Sequence, residues 1–521
     1  MEFLQNISPR EYQQKIFETC KEKNCLVVLP TGLGKTLIAL MLTIERMKKF
    51  PGEKVVFLAP TKPLAEQHLT SFKKNLPELF GEMQLFTGAV NAEKRKKIWE
   101  TADIIFSTPQ CIGNDARKNL YNLKDVCLLI VDEAHRCIKN YDYNYIAQIY
   151  KKQSIHQRII GLTASPGSDT LRIKEICKNL SIEEVELRTR ESTDVNSYLQ
   201  ELEFEKIMVD FPPKFEEMRQ VLKKIYDEYV EELRKRNVLF GPVNKIILIQ
   251  LQKKIMASLA RGNKNFSYFH AASACAQAIK IQHSLELLET QTLASFNNYL
   301  KTLVYQASKQ QSKGVVKLVN KPGFNYIFAE SNEMLIKNEE HPKLLKLIEL
   351  IQEESKKENI RIIIFTQFRD TASIIAKKLN EIPEIKAKVF VGQAKKISED
   401  KKGNTGLSQK EQKKIIEDFS EGKINILVAT SIAEEGLDIP EVNAVIFYEP
   451  IPSAIRSIQR RGRTARLRKG KLIILITKNT RDQTFYYASR SREKKMHSAI
   501  KSVKDDLANE NKIEEQKKLI T

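Results

Sequence analysis

Two series of short apolar runs constrain the fold of this chain more than any other feature. The first holds "CLVVLP", "KVVFLAP", "DIIFSTP", "LLIVDE" and "RIIGLTAS", all before residue 170. The second holds "IRIIIFTQF", "AKVFVG", "INILVATS", "AVIFYEP" and "KLIILIT", all after residue 359. Each run is rich in Val and Ile, ends in small or polar residues, and is separated from the next by a segment of helical spacing. Continuous rather than alternating apolar runs are the mark of strands covered on both faces, so each series predicts a parallel sheet flanked by helices. The fold class expected is therefore α/β, with two lobes.

The texture changes at about residues 200–335. In "KFEEMRQVLKKIYDEYVEELRKR", Phe215, Met218, Leu222, Ile225, Tyr229 and Leu233 recur three or four apart, the stripe of an amphipathic helix. "NKIILIQLQKKIMASLA" and the segment from Ala271 to Ser308 are also helical in pattern, and Pro212-Pro213, "FGPVN" and "NKPGFN" punctuate the region. The expected organisation is lobe one at 1–195, an all-helical insertion at 196–335, lobe two at 336–490 and a charged helical tail at 491–521. Lobe two also contains a lysine-rich loop, "GQAKKISEDKKGNTGLSQKEQKK", readable either as a solvated loop or as a nucleic-acid contact.

Composition narrows the partners. A net charge of +21 favours an acidic polymer, most often nucleic acid, over a merely solvated lysine surface. The seven cysteines form no C-x-x-C pair; Cys111, Cys127 and Cys137 come nearest to a cluster, but their spacing suits no zinc or iron–sulfur rule, so buried free thiols are expected. No run is long and apolar enough to cross a bilayer, and "MEFLQNISPREYQQ" lacks signal-peptide shape, so a cytoplasmic, nucleoid-associated protein is expected.

"LPTGLGKT" follows the first apolar run and precedes a helical segment, the setting a phosphate-binding loop requires. The backbone of Thr31, Gly32, Leu33, Gly34, Lys35 and Thr36 would form an anion nest, Lys35 would reach the β- and γ-phosphates, and Thr36 would ligate Mg²⁺. The general pattern wants glycine at position 29, where this chain has Leu29. "LLIVDEAH" brings Asp132 and Glu133 to the end of a buried strand, where Asp132 would hold Mg²⁺ mainly through water and Glu133 would orient the attacking water. Transfer of a phosphoryl group also needs positive charge from the far side. "QRRGRTAR" offers it: on a helix capped by Ser453, Gln459, Arg463 and Arg466 fall at i, i+4 and i+7, and as arginine fingers the two arginines would be worth roughly 10³–10⁵ in rate. Gly462 inside that helix costs roughly 1 kcal/mol against alanine, which points to a close backbone approach. Arg460 and Arg461 lie off that face, as a nucleic-acid patch or as surface salt-bridge partners.

In order, "REYQ", "PTGLGKT", "APTKPLAEQH", "STPQ", "VDEAH", "LTASPG", "IIIFTQF", "ATSIAEEGLDIP" and "QRRGRTAR" resemble the motifs of a superfamily 2 DEAH-box helicase or translocase. The resemblance spans both lobes, and the helical insertion with "GLSQKEQ" is most similar to the archaeal Hef helicase module, kin to the Fanconi-anaemia M-type fork-remodelling translocases. It implies two RecA-like lobes with a helical domain between them, ATP and Mg²⁺ as cofactors, and branched or forked DNA as partner. It implies Arg10 and Gln13 on the adenine side, with Gln13 reading the base; Thr61, Lys62, Thr108 and Thr430 on the nucleic-acid backbone; Thr163 and Ser165 coupling hydrolysis to lobe movement; and Gly436 and Asp438 near the ribose. Hef-like proteins often continue into a nuclease; "REKKMHS" does not match an E-R-K-x-x-x-D site, so a nuclease is expected only as a further domain or a partner.

Two other readings stand beside this one. Double-stranded-RNA-stimulated ATPases of the RIG-I or Dicer type share the two lobes, but their helical insertion typically lies within lobe two, whereas here it precedes "IIIFTQF". A nucleic-acid clamp gated by ATP would not need Lys35, Asp132, Glu133 and Arg466 together. If the arginines face ATP rather than DNA, Arg466→Ala abolishes ATP turnover while nucleic-acid binding is largely kept; titration of a labelled duplex beside a turnover assay separates the two roles.

Overall fold

The computed structural model describes residues 3–198, 201–262, 266–357, 359–393, 406–433, 439–462, 464 and 469–520. Lobe one is a seven-stranded, wholly parallel sheet of β1 (Cys25–Val28), β2 (Lys54–Leu58), β3 (Met83–Phe86), β4 (Ile104–Ser107), β5 (Val126–Asp132), β6 (Ile159–Thr163) and β7 (Glu184–Leu187), in the order β3-β4-β2-β5-β6-β1-β7. Successive residues feed opposite faces, as a period of two requires. Val27, Val55 and Phe57 join one core layer, and Leu26, Val28, Val56 and Leu58 the other. Five of these strands are the five runs of the sequence; β3 and β7 complete the two edges.

Lobe two is a six-stranded parallel sheet of β8 (Leu202–Val209), β9 (Ile362–Phe365), β10 (Ala387–Phe390), β11 (Ile426–Ala429), β12 (Ala444–Phe447) and β13 (Gly470–Thr477), in the order β10-β11-β9-β12-β13-β8. This moves the boundary expected at residue 196. Residues 202–209 precede the helical insertion in sequence but pair with β13 along their whole length, so they belong to lobe two. The strand sits at the sheet edge with three of its eight residues exposed and only one buried, and "LEFEKIMV" lacks the continuous apolar run of the central strands.

The helical insertion runs from Pro213 to Ile336 and packs around a core of its own. All six residues of the expected stripe on its first helix, Pro213–Lys235, are buried. The helix Lys245–Ala260 is tied to the helix Phe266–Thr290 by Lys245 and Glu286, 2.5 Å apart. All seven cysteines are free and buried, and no helix among the described residues is long and apolar enough to cross a membrane. Most of the lysine-rich loop of lobe two, residues 394–405, lies outside the described residues.

The expected tail is not a separate element. One helix runs from Arg481 to Ile520, beginning on lobe two and crossing to lobe one. There Met496, Ala499, Ile500 and Val503, at helical spacing, enter the second core layer of lobe one. Ion pairs Lys174–Asp506 (2.9 Å) and Lys504–Glu184 (3.5 Å) flank that contact.

At the root of this helix Lys343 and Asp482 form a pair with no exposed side-chain surface, Nζ to Oδ2 2.7 Å, and Asp482 also accepts from the Thr477 N–H. Removing one partner leaves a buried charge uncompensated. Lys343→Met is expected to cost about 3–5 kcal/mol in chemical denaturation of lobe two, and Lys343→Met with Asp482→Asn to recover most of it.

Candidate functional site

In a parallel sheet, ligands are met at the carboxyl ends of the strands. Here the phosphate loop follows β1, Thr61 follows β2, Thr108 follows β4, Asp132 ends β5, and Thr163 ends β6. The sheet thereby brings the expected nucleotide and nucleic-acid residues of lobe one to one edge.

The phosphate loop is held from below. Tyr12 Oη and Gln13 Nε2 both donate to the Leu33 carbonyl, at 2.9 and 3.0 Å. Gln13 Oε1 accepts from the Arg10 N–H at 2.8 Å, which caps the helix Glu11–Glu22, and the Arg10 guanidinium lies over the Tyr198 ring at 5.0 Å. Thus Gln13, expected to read the base, is a buried brace of the loop in this structure. Gly34 opens the helix Lys35–Lys49 with φ of 77°, a conformation that favours glycine, and a Cβ there would displace the Gln13 amide from the loop. Lys35 Nζ donates to the Leu29 carbonyl at 2.9 Å, folded back over the loop. The lysine uses only the backbone of residue 29, whose N–H donates to the Thr163 carbonyl at 3.0 Å and whose side chain is buried in the first core layer, so leucine serves there.

Asp132 is buried, with Oδ2 2.9 Å from His68 Nε2, and the Tyr143 hydroxyl donates to its carbonyl at 2.7 Å. Burial opposes its ionisation, but the His68 hydrogen bond and charge, with Lys35 beyond, outweigh it and hold the carboxyl below the usual range. Glu133 takes a left-handed conformation (φ 49°, ψ 49°), at a cost of roughly 1–2 kcal/mol. Such strain is concentrated where a side chain has to be aimed. Its Oε2 is buried, stands 3.2 Å from His135 Nδ1 and has no hydrogen-bond partner. His135 Nδ1 lies 3.2 Å from Thr163 Oγ1, which accepts from the Ser165 N–H at 3.1 Å. Ser165 Oγ donates to Met496 Sδ at 2.8 Å. The two residues expected to couple hydrolysis to movement therefore connect the DEAH turn to the helix that arrives from lobe two.

The buried Thr31 Oγ1 and Glu133 Oε2, neither with a hydrogen-bond partner, and the cradle at Gly34 fit a nucleotide phosphate with its attacking water. Thr36 and Asp132 offer hard oxygens of the kind magnesium takes. No group of three His, Cys, Asp or Glu among the described residues could hold a metal, so phosphate and water would supply the remaining ligands.

From lobe two comes the helix Ala454–Arg461, capped by Ser453 accepting from the Arg456 N–H. It ends earlier than expected. Gly462 is its cap, and Thr464 already forms a parallel bridge with Val442, so the i, i+4, i+7 face from Gln459 to residue 466 is not continuous helix. Arg463, Arg466, Gly436 and Asp438 lie outside the described residues. Gln459 is buried. The expected close approach is present at Gly462, where a Cβ would overlap Thr31 of the phosphate loop. A cavity of about 150 Å³ remains at this seam, lined by Pro30, Thr31, Gly462, Met496 and His497 among others. Arg461 pairs with Glu493 at 2.5 Å, whereas Arg460 is fully buried over the rings of Phe365 and Phe447, which excludes it from a surface patch.

The expected nucleic-acid residues are placed but meet nothing here that tests them. Thr61 is exposed at the start of the helix Lys62–Asn75, and Lys62 pairs with Glu66 at 3.4 Å. Thr108 caps the helix Pro109–Arg117, and Thr430, after β11, is buried. Sequence reasoning missed Tyr12, His68, Tyr143 and Met496. His68 carried a signal, since Ala65, His68 and Phe72 form a buried stripe that puts a histidine on an apolar face.

Fold and site together define a two-lobed P-loop nucleoside triphosphatase of the DEAH-box kind, with a helical bundle between its lobes. The DEAD/DEAH box helicase family matches residues 10–173, the helicase conserved C-terminal domain residues 342–468, and the helical bundle of putative ATP-dependent RNA helicases residues 214–341. The crystal structure of the Pyrococcus furiosus Hef helicase domain is similar with a TM-score of 0.70 and 42% identity, over 92% of this chain and 98% of that one. A putative ATP-dependent RNA helicase of Methanocaldococcus jannaschii is 38% identical over 95% of this chain and 61% of its own length. An ATP-dependent DNA helicase of Neurospora crassa is 34% identical over 92% and 42%, and the mouse Fanconi anemia group M protein homolog 31% over 95% and 26%. The chain belongs to the DEAD/DEAH-box helicases, in the branch that contains Hef and the Fanconi-anaemia M-type enzymes, and carries both lobes of the helicase module. It spans between about a quarter and three fifths of the length of these curated relatives.

Because Gly462 touches Thr31 without room for a side chain, Gly462→Ala is expected to lower ATP turnover at least tenfold, while binding of a fluorescent ATP analogue to lobe one changes little.

Proposed function

We propose that this chain is an ATP-dependent DNA helicase or translocase that remodels branched DNA, forks and four-way junctions, during repair of replication forks. The observation that carries the reading is the seam at which Gly462 of lobe two meets Thr31 of the phosphate loop. ATP bound on lobe one would meet Arg463 and Arg466 across that seam, and Mg²⁺, held by Thr36 and Asp132, would supply charge to its β- and γ-phosphates. Glu133 aims the attacking water. With the γ-phosphate present the lobes close, and once it leaves they part. The contacts Glu133–His135–Thr163–Ser165–Met496 support Thr163 and Ser165 as the route by which that change reaches the helix from lobe two.

Thr61, Lys62 and Thr108 on lobe one and Thr430 on lobe two would grip the nucleic-acid backbone in alternation. Phosphate contacts carry little sequence information, so binding is structure-specific and steeply dependent on salt. The helical bundle selects the branch, its exposed Lys253, Lys254, Lys301, Lys309, Lys313 and Lys317 supplying charge. DNA is favoured by the names of the Neurospora crassa and mouse relatives, and by an insertion that precedes lobe two's central strand. A duplex-RNA substrate is the second reading, favoured by the name of the Methanocaldococcus jannaschii relative and of the matched helical bundle. The module would act on the nucleoid in the cytoplasm, with a nuclease supplied by a further domain or a partner.

ATP turnover and unwinding on a panel of forks, four-way junctions, plain DNA duplex and RNA duplex decide between these readings. Forks and junctions are expected to stimulate most, and Lys35→Ala to abolish turnover on all of them. Stimulation by RNA duplex alone overturns the substrate, and wild-type turnover no higher than that of Lys35→Ala overturns the enzyme.

A further inference from the structure

One buried side chain at the nucleotide site has no part in the cycle so far. His68 lies two turns into the helix Lys62–Asn75, with its ring tilted against Phe57 at 4.3 Å. It is 7% exposed. Its Nε2 is 2.9 Å from Asp132 Oδ2 and its Nδ1 is 3.4 Å from Thr36 Oγ1. The ring thus reaches from one to the other of the two groups whose oxygens suit the cation.

Physical chemistry gives this arrangement a task. Asp132 is 5% exposed, and a carboxylate taken out of water must have partners or lose its charge. Its side chain can also turn about two bonds, so burial alone does not aim it. A histidine that donates to one oxygen fixes the rotamer and leaves the other oxygen and the remaining lone pairs for a cation and its water. Phe57 in turn fixes the ring, because it stands on β2, the strand adjacent to β5. Hydrogen-bond partners that stand behind a metal ligand in this way are typically worth about 10–100-fold in metal affinity.

We propose that His68 is a positioning residue for the magnesium site, holding the Asp132 carboxylate aimed and Thr36 in register so that the cation of the nucleotide complex enters a preformed pair of oxygens. The proposal rests on the ATP site proposed above. It also gives the helix Lys62–Asn75 different duties at its start and at its middle. Its first residues, Thr61 and Lys62, are those assigned to the nucleic-acid backbone, and His68 is on the metal carboxylate, so a shift of this helix on nucleic-acid binding would be felt at Asp132.

The test is the affinity of Mn²⁺ for the protein–ADP complex, read by electron paramagnetic resonance on the whole chain, in wild type, His68→Ala, His68→Gln, His68→Asn and Asp132→Ala, with thermal midpoints in EDTA to show that each variant is folded. A glutamine places its amide nitrogen near the position of Nε2, whereas an asparagine reaches only as far as Nδ1. His68→Ala and His68→Asn are expected to weaken Mn²⁺ binding about tenfold or more, and His68→Gln to restore most of it. Unchanged or tighter Mn²⁺ binding in folded His68→Ala overturns the proposal, as does equal loss in the glutamine and asparagine variants. If Asp132→Ala also leaves the affinity unchanged, the metal site itself is misassigned; if Asp132→Ala loses binding and His68→Ala does not, only the role of His68 falls.

Discussion

The approach of Gly462 to Thr31 is the contact on which the rest of the site depends. It joins the loop that would hold the phosphates to the end of a helix from the other lobe, at a distance that no other amino acid permits without displacement. Parallel sheets gather ligand-binding residues at one edge but leave half of the electrostatic requirement unmet, because the outer side of a γ-phosphate faces solvent. A second lobe supplies that side only if its backbone comes close. The glycine therefore serves geometry rather than flexibility, and the cost of its position at a helix end is small beside the rate that correctly placed charge contributes.

Closure also needs a signal that travels. The contacts starting at Glu133 pass through His135 and Thr163 to Ser165 and end on Met496, a residue of the helix that begins on lobe two at Arg481. Each step is a hydrogen bond or close polar contact between residues buried or nearly so, where a shift of a few tenths of an ångström is not absorbed by water. The helix itself is anchored on both lobes, by the Lys343–Asp482 pair at its start on lobe two and by Ala499, Ile500 and Val503 along its middle on lobe one. It therefore joins the two lobes by a route separate from the seam at Gly462.

The nucleotide site was legible in the sequence because its residues sit beside Val- and Ile-rich runs whose ends are chemically distinctive. Leu29 obscured the phosphate loop only slightly, since the loop uses that residue's carbonyl. What was not legible shares a different character. The strand β8 carries Glu203, Glu205 and Lys206 and buries only one of its eight residues, so it has no buried run to betray it, and its partner β13 lies more than two hundred and fifty positions away. The stripe Met496, Ala499, Ile500 and Val503 is present in "KKMHSAIKSVKDD", but nothing local says that the surface it covers belongs to the first lobe. The helix ending at Arg461 was read too long, because the periodicity of charged residues continues past the glycine while Thr464 is drawn into a bridge with Val442. His68 was missed because its partner Asp132 is sixty-four positions distant and on another strand.

Arg460 shows how the second lobe holds the helix that faces the phosphate loop. It follows Gln459, yet it is fully buried, with its guanidinium over Phe365 at 4.9 Å and Phe447 at 5.5 Å. Those rings end β9 and β12, neighbouring strands at the centre of the sheet. A desolvated cation over aromatic faces is worth about 2 kcal/mol or more, and here it fastens the helix Ala454–Arg461 to the strands rather than to a mobile loop. Glu449, buried just beyond β12, completes the setting: burial pushes its carboxyl up to about 7, against the pull of Lys343 and Arg460, and one of its oxygens accepts from the Gln367 N–H. Because the helix is joined to the sheet through its own side chains, its position on lobe two is set by packing inside that lobe. On the proposed cycle, a change at the γ-phosphate would therefore be passed to lobe two as a whole, the motion that an alternating grip on a nucleic-acid backbone would require.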